Sequence, residues 1–276
     1  MGLLDLLKDP ETLAREAGML VSYSPELITG LYSQWTKHVH KKGYSSIEEK
    51  AQEVMRTTGQ EKVNLIGYSL GGLVGLAYAM EQPQRVGRCL FIGTPFGGAP
   101  IAYLSWVLLG IGVNPGSAMQ MAPGSKMLLA LQDYFKAHNG LFSENGIEFE
   151  NIYSTQDEFV PDESGSLRIF CPKAKNITER TISKEGHGSM LHCESTKRHI
   201  AGFISGSSLP VICVPGFGLN GRMFKRLTTE LGKSGHLSEN SMKRIFHMYY
   251  DYTKPIKAEK IMEWFNEHAP KKQGQR

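Results

Sequence analysis

An α/β fold, with a mostly parallel central sheet covered by helices on both faces, is what this sequence predicts, and three observations predict it. Short apolar segments of strand length alternate with helical segments from residue 47 onward, the pattern of strand–helix–strand units. The strand segments, such as Arg88–Ile92 (RCLFI) and Leu209–Val214 (LPVICV), are near-continuous apolar runs, as expected for strands buried on both faces. One of them, in VNLIGYSLGG from Val63 to Gly72, passes through a glycine-flanked turn straight into the helix-forming run Leu73–Met80. At 276 residues, 41% hydrophobic and 21% charged, the chain suits one large domain with a sizeable core.

In order along the chain, residues 1–44 read as a helical extension. Leu3, Leu6 and Leu7 open a short helix stopped at Pro10, and Glu11–Leu20 and Pro25–Val39 give two more. Ser46, with Glu49 three residues on, forms a capping box that starts a helix to about Thr58. The strand at Val63 and its helix follow, then the strand Arg88–Ile92, which runs into GTPFGG. Residues 101–121 are apolar and rich in Gly, Met and aromatics. Pro123–Phe135 is a helix, Phe149–Ser154 a strand ending at Gln156-Asp157, and Asn176–Ile182 a strand ending at Gly186-His187-Gly188. Ser189–Ile204 is a helix, and Ser205–Ser208 (SGSS) a flexible joint. Beyond it come the strand Leu209–Val214, the turn Pro215–Gly218, a helix Met223–Leu231, a strand Ile245–Tyr250 and a last helix Ile256–His268. The whole is expected as a single domain, in segments 1–44, 45–204, 205–208 and 209–276.

Strand, G-x-S-x-G and helix together make a nucleophile elbow. A serine on so tight a turn sits in strained backbone, so its neighbours must be glycine, here Gly67 and Gly71. Ser69 would stand at the positive end of the following helix. A serine alcohol is a poor nucleophile at neutral pH and needs a base and a group that orients the base. In this arrangement the acid and then the histidine follow the serine in chain order. Asp157 stands just past one strand and His187 past the next, both at the carboxyl edge of the sheet, where open α/β sheets bind ligands. Of the nine histidines, only His187 has a glycine-flanked position at a strand end. His38, His40, His138, His199, His236 and His268 read as surface residues, His247 as packed in a strand, and His192 as core or partner. Glu158, Asp162 and Glu163 compete with Asp157, and Asp251 also ends a strand. The oxyanion of acyl transfer needs two N–H donors. Leu70, the residue after the nucleophile, supplies one; the other is expected from Phe217, in the turn after VICV.

Other classes are disfavoured. A net charge of +4, from 31 basic and 27 acidic residues, is too mild and scattered for nucleic acid. No stretch approaches the length of a membrane span. The start Met1–Asp9 lacks a basic region, so no signal peptide is expected, and Met-Gly without Ser or Thr at the sixth position fails the myristoylation pattern. Cys89, Cys171, Cys193 and Cys213 lack paired short spacing and read as reduced thiols of a cytoplasmic protein. No cofactor or metal is expected: His187, His192 and Cys193 lack tetrahedral-site spacing, and G-x-G-x-x-G fingerprints and P-loops are absent.

VNLIGYSLGGLVGLAYA and VGRCLFIGTPFGGAP resemble the elbow and following strand of α/β-hydrolase lipases of the triacylglycerol lipase type. NIYSTQDEFVP and EGHGSMLH are similar to the acid and base segments of the small bacterial lipases, and PVICVPGFGLNGRMFKRLTTELGKSGH with HMYYDYTKP to their first core strand, oxyanion loop, first helix and second strand. The family places that last segment before the elbow. The resemblance therefore implies an α/β-hydrolase fold with circularly permuted element order, joined through SGSS. Domain termini often lie close together, which makes such a rearrangement physically reasonable. Where the family usually has His before the oxyanion glycine, this chain has Pro215. Residues 1–44 match nothing in the family.

The function implied is a serine carboxylic-ester hydrolase, a lipase or esterase that takes a small-molecule or lipid acyl ester and makes at most transient contact with a lipid interface. A thioesterase or acyltransferase would use the same triad, and a non-catalytic binding protein of the same fold is the reading from another class. Residues 100–122 are a lid-like insertion, since long insertions here often cover the site. Trp106, Leu109 and Met119 are the expected acyl contacts from it, and Tyr68 of the elbow is a further substrate contact. The lesser reading of the same run is an ordinary buried helix. Oligomeric state is not legible.

Overall fold

The computed structural model describes residues 46–103, 116–217, 219, 221–249 and 255–268. The three helices expected within 1–44, the centre of the insertion with Trp106 and Leu109, and Asp251 lie outside the described residues. In chain order the elements are α1 (Ile47–Thr58), β1 (Val63–Tyr68), α2 (Leu70–Glu81), β2 (Val86–Ile92), α3 (Gly116–Gln120), α4 (Lys126–Glu144), β3 (Glu148–Ser154), α5 (Asp162–Gly165), β4 (Ile177–Ile182), α6 (His187–Met190), α7 (Glu194–Ser205), β5 (Val211–Val214), α8 (Arg222–Lys233), α9 (Glu239–Met242), β6 (Ile245–His247) and α10 (Glu259–His268).

The six strands form one sheet in the order β4-β3-β2-β1-β5-β6, and every pairing is parallel. The α/β class with helices over both faces is therefore as the alternation of elements predicts. β1 lies inside the sheet between β2 and β5, and all six of its residues are buried. β5, from the far end of the chain, pairs with β1 from Asn64↔Val211 to Gly67↔Val214 and carries β6 on its other side. Two apolar clusters fill the two faces. One holds Leu65, Leu73, Phe91, Phe96, Phe135 and Phe149; the other holds Ile66, Leu90, Phe203, Phe224 and Leu227. Alternate residues of one strand feed opposite clusters, as the two-residue period of a strand requires.

α1 starts as expected: the Ser46 side chain accepts from Glu49 N at 3.2 Å and Ser46 N donates to Glu49 Oε2 at 2.8 Å. α2 is apolar all round and buried from Leu70 to Met80, because α1, α4 and α10 cover it on the side away from the sheet. α10 is pinned there through its start: Lys260 N donates to Glu81 Oε1 at 3.0 Å.

Several expectations change in length or setting. The helix predicted over Pro123–Phe135 runs from Lys126 to Glu144, starting where Ser125 caps Leu128 N. His138-Asn139-Gly140 looks like a stop, but burial of Phe142 against Phe135 and Phe149 carries the helix on. The single helix expected over Ser189–Ile204 is two, α6 and α7, broken where Cys193 is extended. β6 ends at His247 rather than Tyr250, and α10 starts at Glu259 rather than Ile256. His199 is not a free surface residue: its Nε2 lies 2.7 Å from Glu150 Oε2, in a cluster completed by Arg88. His138 likewise stacks on Tyr134, with ring centroids 4.0 Å apart. The joint Ser205–Ser208 is tied down, since Arg244 Nη1 donates to the carbonyls of Ser207 and Leu209. All four cysteines are free thiols.

Candidate active site

β1 delivers Ser69 at the carboxyl edge of the sheet, immediately before α2. Its backbone stands at φ 53°, ψ −128°, a positive-φ conformation that costs an L-residue on the order of 1–3 kcal/mol. Ser69 N donates to Ile92 O at 2.8 Å, and Gly72 N to Ser69 O at 2.9 Å, which locks the turn. Along 63–80, Ser69 is the one residue that is not fully buried. The flanking glycines are required by space. A Cβ on Gly67 would stand 2.5 Å from Gly72 Cα, and one on Gly71 would stand 2.2 Å from Val214 O and 2.4 Å from Pro215 O. The obstacles are backbone atoms, which cannot rotate away. Gly71→Ala should therefore force β5 and the elbow apart, lowering stability by about 3 kcal/mol or more; thermal melting of the variant checks this.

Asp157 and His187 come together at the same edge. His187 Nδ1 lies 2.6 Å from Asp157 Oδ2. Asp157 Oδ1 accepts the N–H groups of Phe159 and Val160, both at 2.9 Å, so the carboxylate is fixed in a turn of its own making. The side chains are 11% and 2% exposed, so the pair is shielded from solvent. The imidazole lies against Gly93, where a Cβ would be 3.2 Å from His187 Cε1. Gly93 follows Ile92, the partner of Ser69 N, so nucleophile candidate and imidazole stand over neighbouring strand ends. With Nδ1 committed to Asp157, Nε2 is the nitrogen left for proton transfer. Burial pushes the His187 pKa down, but the Asp157 charge and hydrogen bond, together with the Glu158 charge, outweigh it and hold the pKa above the ordinary value.

The other acids separate by position. Asp162 and Glu163 are exposed on α5. Glu158 Oε2 accepts the His187 main-chain N–H at 2.8 Å. Leu70 is the first residue of α2, where a helix leaves its N–H without an internal acceptor. The turn Pro215–Phe217 abuts the elbow: a Cβ on Gly216 would be 2.9 Å from Ser69 Cβ. Phe217, next in the chain, is half-buried against the core.

Tyr68, the expected substrate contact of the elbow, is 3% exposed, and its hydroxyl donates to His187 O at 2.7 Å. Its ring lies 5.1 Å from the imidazole, centroid to centroid. The position before the nucleophile still belongs to a strand, and alternation points that side chain into the layer between the sheet and α6. Met119, on α3, is half-buried. The insertion is closed at its base by the bond from Ala99 N to Met121 O at 2.9 Å, with Met121 in the core. Among the described residues, no group of three or more His, Cys, Asp or Glu could hold a metal ion, and no helix is long and apolar enough to cross a membrane.

The profile of the α/β hydrolase fold matches residues 32–110, which contain β1, the elbow and β2. With an all-parallel sheet and a positive-φ serine between β1 and α2, that match decides the fold. The chain has the α/β-hydrolase fold. The chain is 45% identical over 51 residues to a triacylglycerol lipase of Pseudarthrobacter phenanthrenivorans, a stretch covering 18% of this chain and 16% of that relative's length. Among solved structures, it is similar to a Bacillus licheniformis lipase in propeptide form (16% identity, 55% of this chain and 39% of that one, TM-score 0.41). It is also similar to a monoacylglycerol lipase of Paleococcus ferrophilus (19% identity, 60% and 76%, TM-score 0.38).

Proposed function

We propose that this α/β-hydrolase is a carboxylic-ester hydrolase of the lipase or esterase type. The observation that carries the reading is the strained, solvent-reachable Ser69 at one sheet edge with the Asp157–His187 pair. Ser69 Oγ attacks the ester carbonyl as His187 Nε2 takes its proton. The oxyanion accepts the N–H groups of Leu70 and Phe217; each such donor contributes about 10²–10³ in rate. Collapse expels the alcohol, protonated by His187, and leaves an acyl group on Ser69. Water, deprotonated by His187, then frees the acid. Asp157 fixes the imidazole and stabilises its protonated form. The acyl chain is read as lying under the insertion at residues 100–122, with Trp106, Leu109 and Met119 as contacts.

Part of the reading is a permuted element order, in which residues 209–268 supply the oxyanion strand. It is supported by the parallel pairing of β5 with β1 on the side away from β2, next to Gly71 and Ser69.

Hydrolysis of p-nitrophenyl esters from acetate to palmitate tests the activity, and its chain-length optimum separates esterase from lipase. An inert enzyme across the series, unlabelled by an organophosphonate, overturns the reading. A pH dependence follows as well. The base must be unprotonated to act, and the negative groups beside His187 favour its protonated form. kcat/KM should therefore fall as the pH drops, with a midpoint above the ordinary histidine value of about 6.5. A pH–rate profile with a midpoint below that value contradicts the electrostatics.

A further inference from the structure

We propose that Glu158 and Tyr68 are positioning residues that grip the main chain of His187 from both sides and so set where its imidazole stands. The inference rests on the reading of His187 as the base and adds two residues to its machinery. α6 is only four residues long, and its first residue, His187, has no helical acceptor for its N–H. Glu158 Oε2 takes that N–H at 2.8 Å, while the Tyr68 hydroxyl donates to the His187 carbonyl at 2.7 Å. Two consecutive residues, Asp157 and Glu158, thus hold the ring and the backbone of one histidine from a single loop. The third hold comes from β1, one residue before Ser69. Base and nucleophile are in this way indexed to the same strand.

Two details argue against a merely solvated loop acid. A Cβ on Gly186 would stand 2.6 Å from Glu158 Oε2, so the carboxylate lies directly against that glycine. Its second oxygen, Oε1, is buried without a hydrogen-bond partner among the described residues. Burying a carboxylate oxygen is costly, and an exposed loop acid would stay in water. Tyr68 is itself kept neutral, because burial, then the charges of Asp157 and Glu158, raise its pKa well above the usual value. The groups acting on His187 are Asp157 and Glu158 from the loop after β3 and Tyr68 from β1; α6 adds no titratable residue of its own.

The test compares E158A, E158Q and Y68F in the full chain, with kcat, KM, pH profile and melting temperature. E158A should lose about 10–100-fold in kcat with KM little changed, the range for residues that orient a catalytic ligand through hydrogen bonds. E158Q retains an acceptor for the His187 N–H and should recover most of that loss. It should also move the acid limb to lower pH, because a negative charge beside the imidazole is gone. Y68F should lower kcat and leave the acid limb in place. Loss of kcat in E158A that merely follows a lowered melting temperature, with no rescue and no shift in E158Q, overturns the proposal. So does full activity in E158A and Y68F. Titration of the His187 imidazole by NMR decides the question without turnover: E158Q should lower its pKa, and E158A should speed exchange of the Nδ1 proton. If the wild type proves inert to esters and to organophosphonate, the hydrolase reading falls. The grip is then judged on those two NMR signals alone, and unchanged signals overturn it.

Discussion

Ser69→Ala should reduce ester hydrolysis to background, a fall in kcat on the order of 10⁴–10⁶, with the fold intact. The expectation follows from geometry. The turn is held by main-chain bonds, Ser69 N to Ile92 O and Gly72 N to Ser69 O, which alanine keeps. Alanine meets the same positive φ as serine, so neither backbone strain nor packing changes much, and the melting temperature should stay within a few degrees. Only the oxygen that would carry the acyl group is lost. Steady-state kinetics on a short p-nitrophenyl ester, with organophosphonate labelling read by intact mass, checks both halves. Residual activity near wild type would remove Ser69 from the mechanism. It would move attention to another nucleophile, or to water activated by the Asp157–His187 pair alone.

The second large effect concerns the C-terminal segment. A chain ending at Gly206 should fail to fold, and not merely lose activity. That cut removes β5, whose four residues are all buried, along with the buried face of α8: Met223, Phe224, Leu227 and Leu231. Each such side chain contributes about 1.5–3 kcal/mol on burial. Summed over the segment, this reaches or exceeds the roughly 5–15 kcal/mol by which domains are stable at all. The cut also strips β1 of one of its two partners, β5, and leaves the central strand as an exposed apolar edge, a template for aggregation. Circular dichroism and size-exclusion chromatography of the truncated chain read the outcome. A soluble, cooperatively melting and active product would make 209–276 an appendage and defeat the permuted reading. A product that is folded but inactive would keep the oxyanion role while denying the structural one.

Much of the fold and of the site was legible because it rests on local rules. The capping box at Ser46 and Glu49, the apolar run of β1 and the glycines at 67 and 71 are short-range signals, and each appears in the structure as the rule demands. The pairing of Asp157 with His187 could be anticipated because both follow strands of one parallel sheet, whose carboxyl ends meet at one edge. What was missed is long-range. Glu158 was visible only as a rival of Asp157, because nothing local says that its carboxylate will find the main chain of a residue 29 positions away. Tyr68 read as a substrate contact by its place in the elbow. Its hydroxyl turns out to be claimed by a carbonyl 119 positions on. His199 reads as a surface residue because its partner, Glu150, lies on another element, and His138 because Trp264, which closes over it beside Tyr134, does so too.

The sequence alone determined the α/β class, the glycine-flanked strand–turn–helix at Ser69, and the placing of Asp157 and His187 just past strands of one sheet. Period, propensity and the glycine requirement of a positive-φ turn act over a few residues and leave their mark in composition. Only the tertiary structure decided that β5 lies against β1, that α4 continues through His138-Asn139-Gly140 to bury Phe142, and that His187 is held at its backbone by Tyr68 and Glu158. Those outcomes come from packing and hydrogen-bond satisfaction between residues far apart in the chain. Their free energy depends on which partners the folded sheet brings within reach, a quantity no local window of sequence contains.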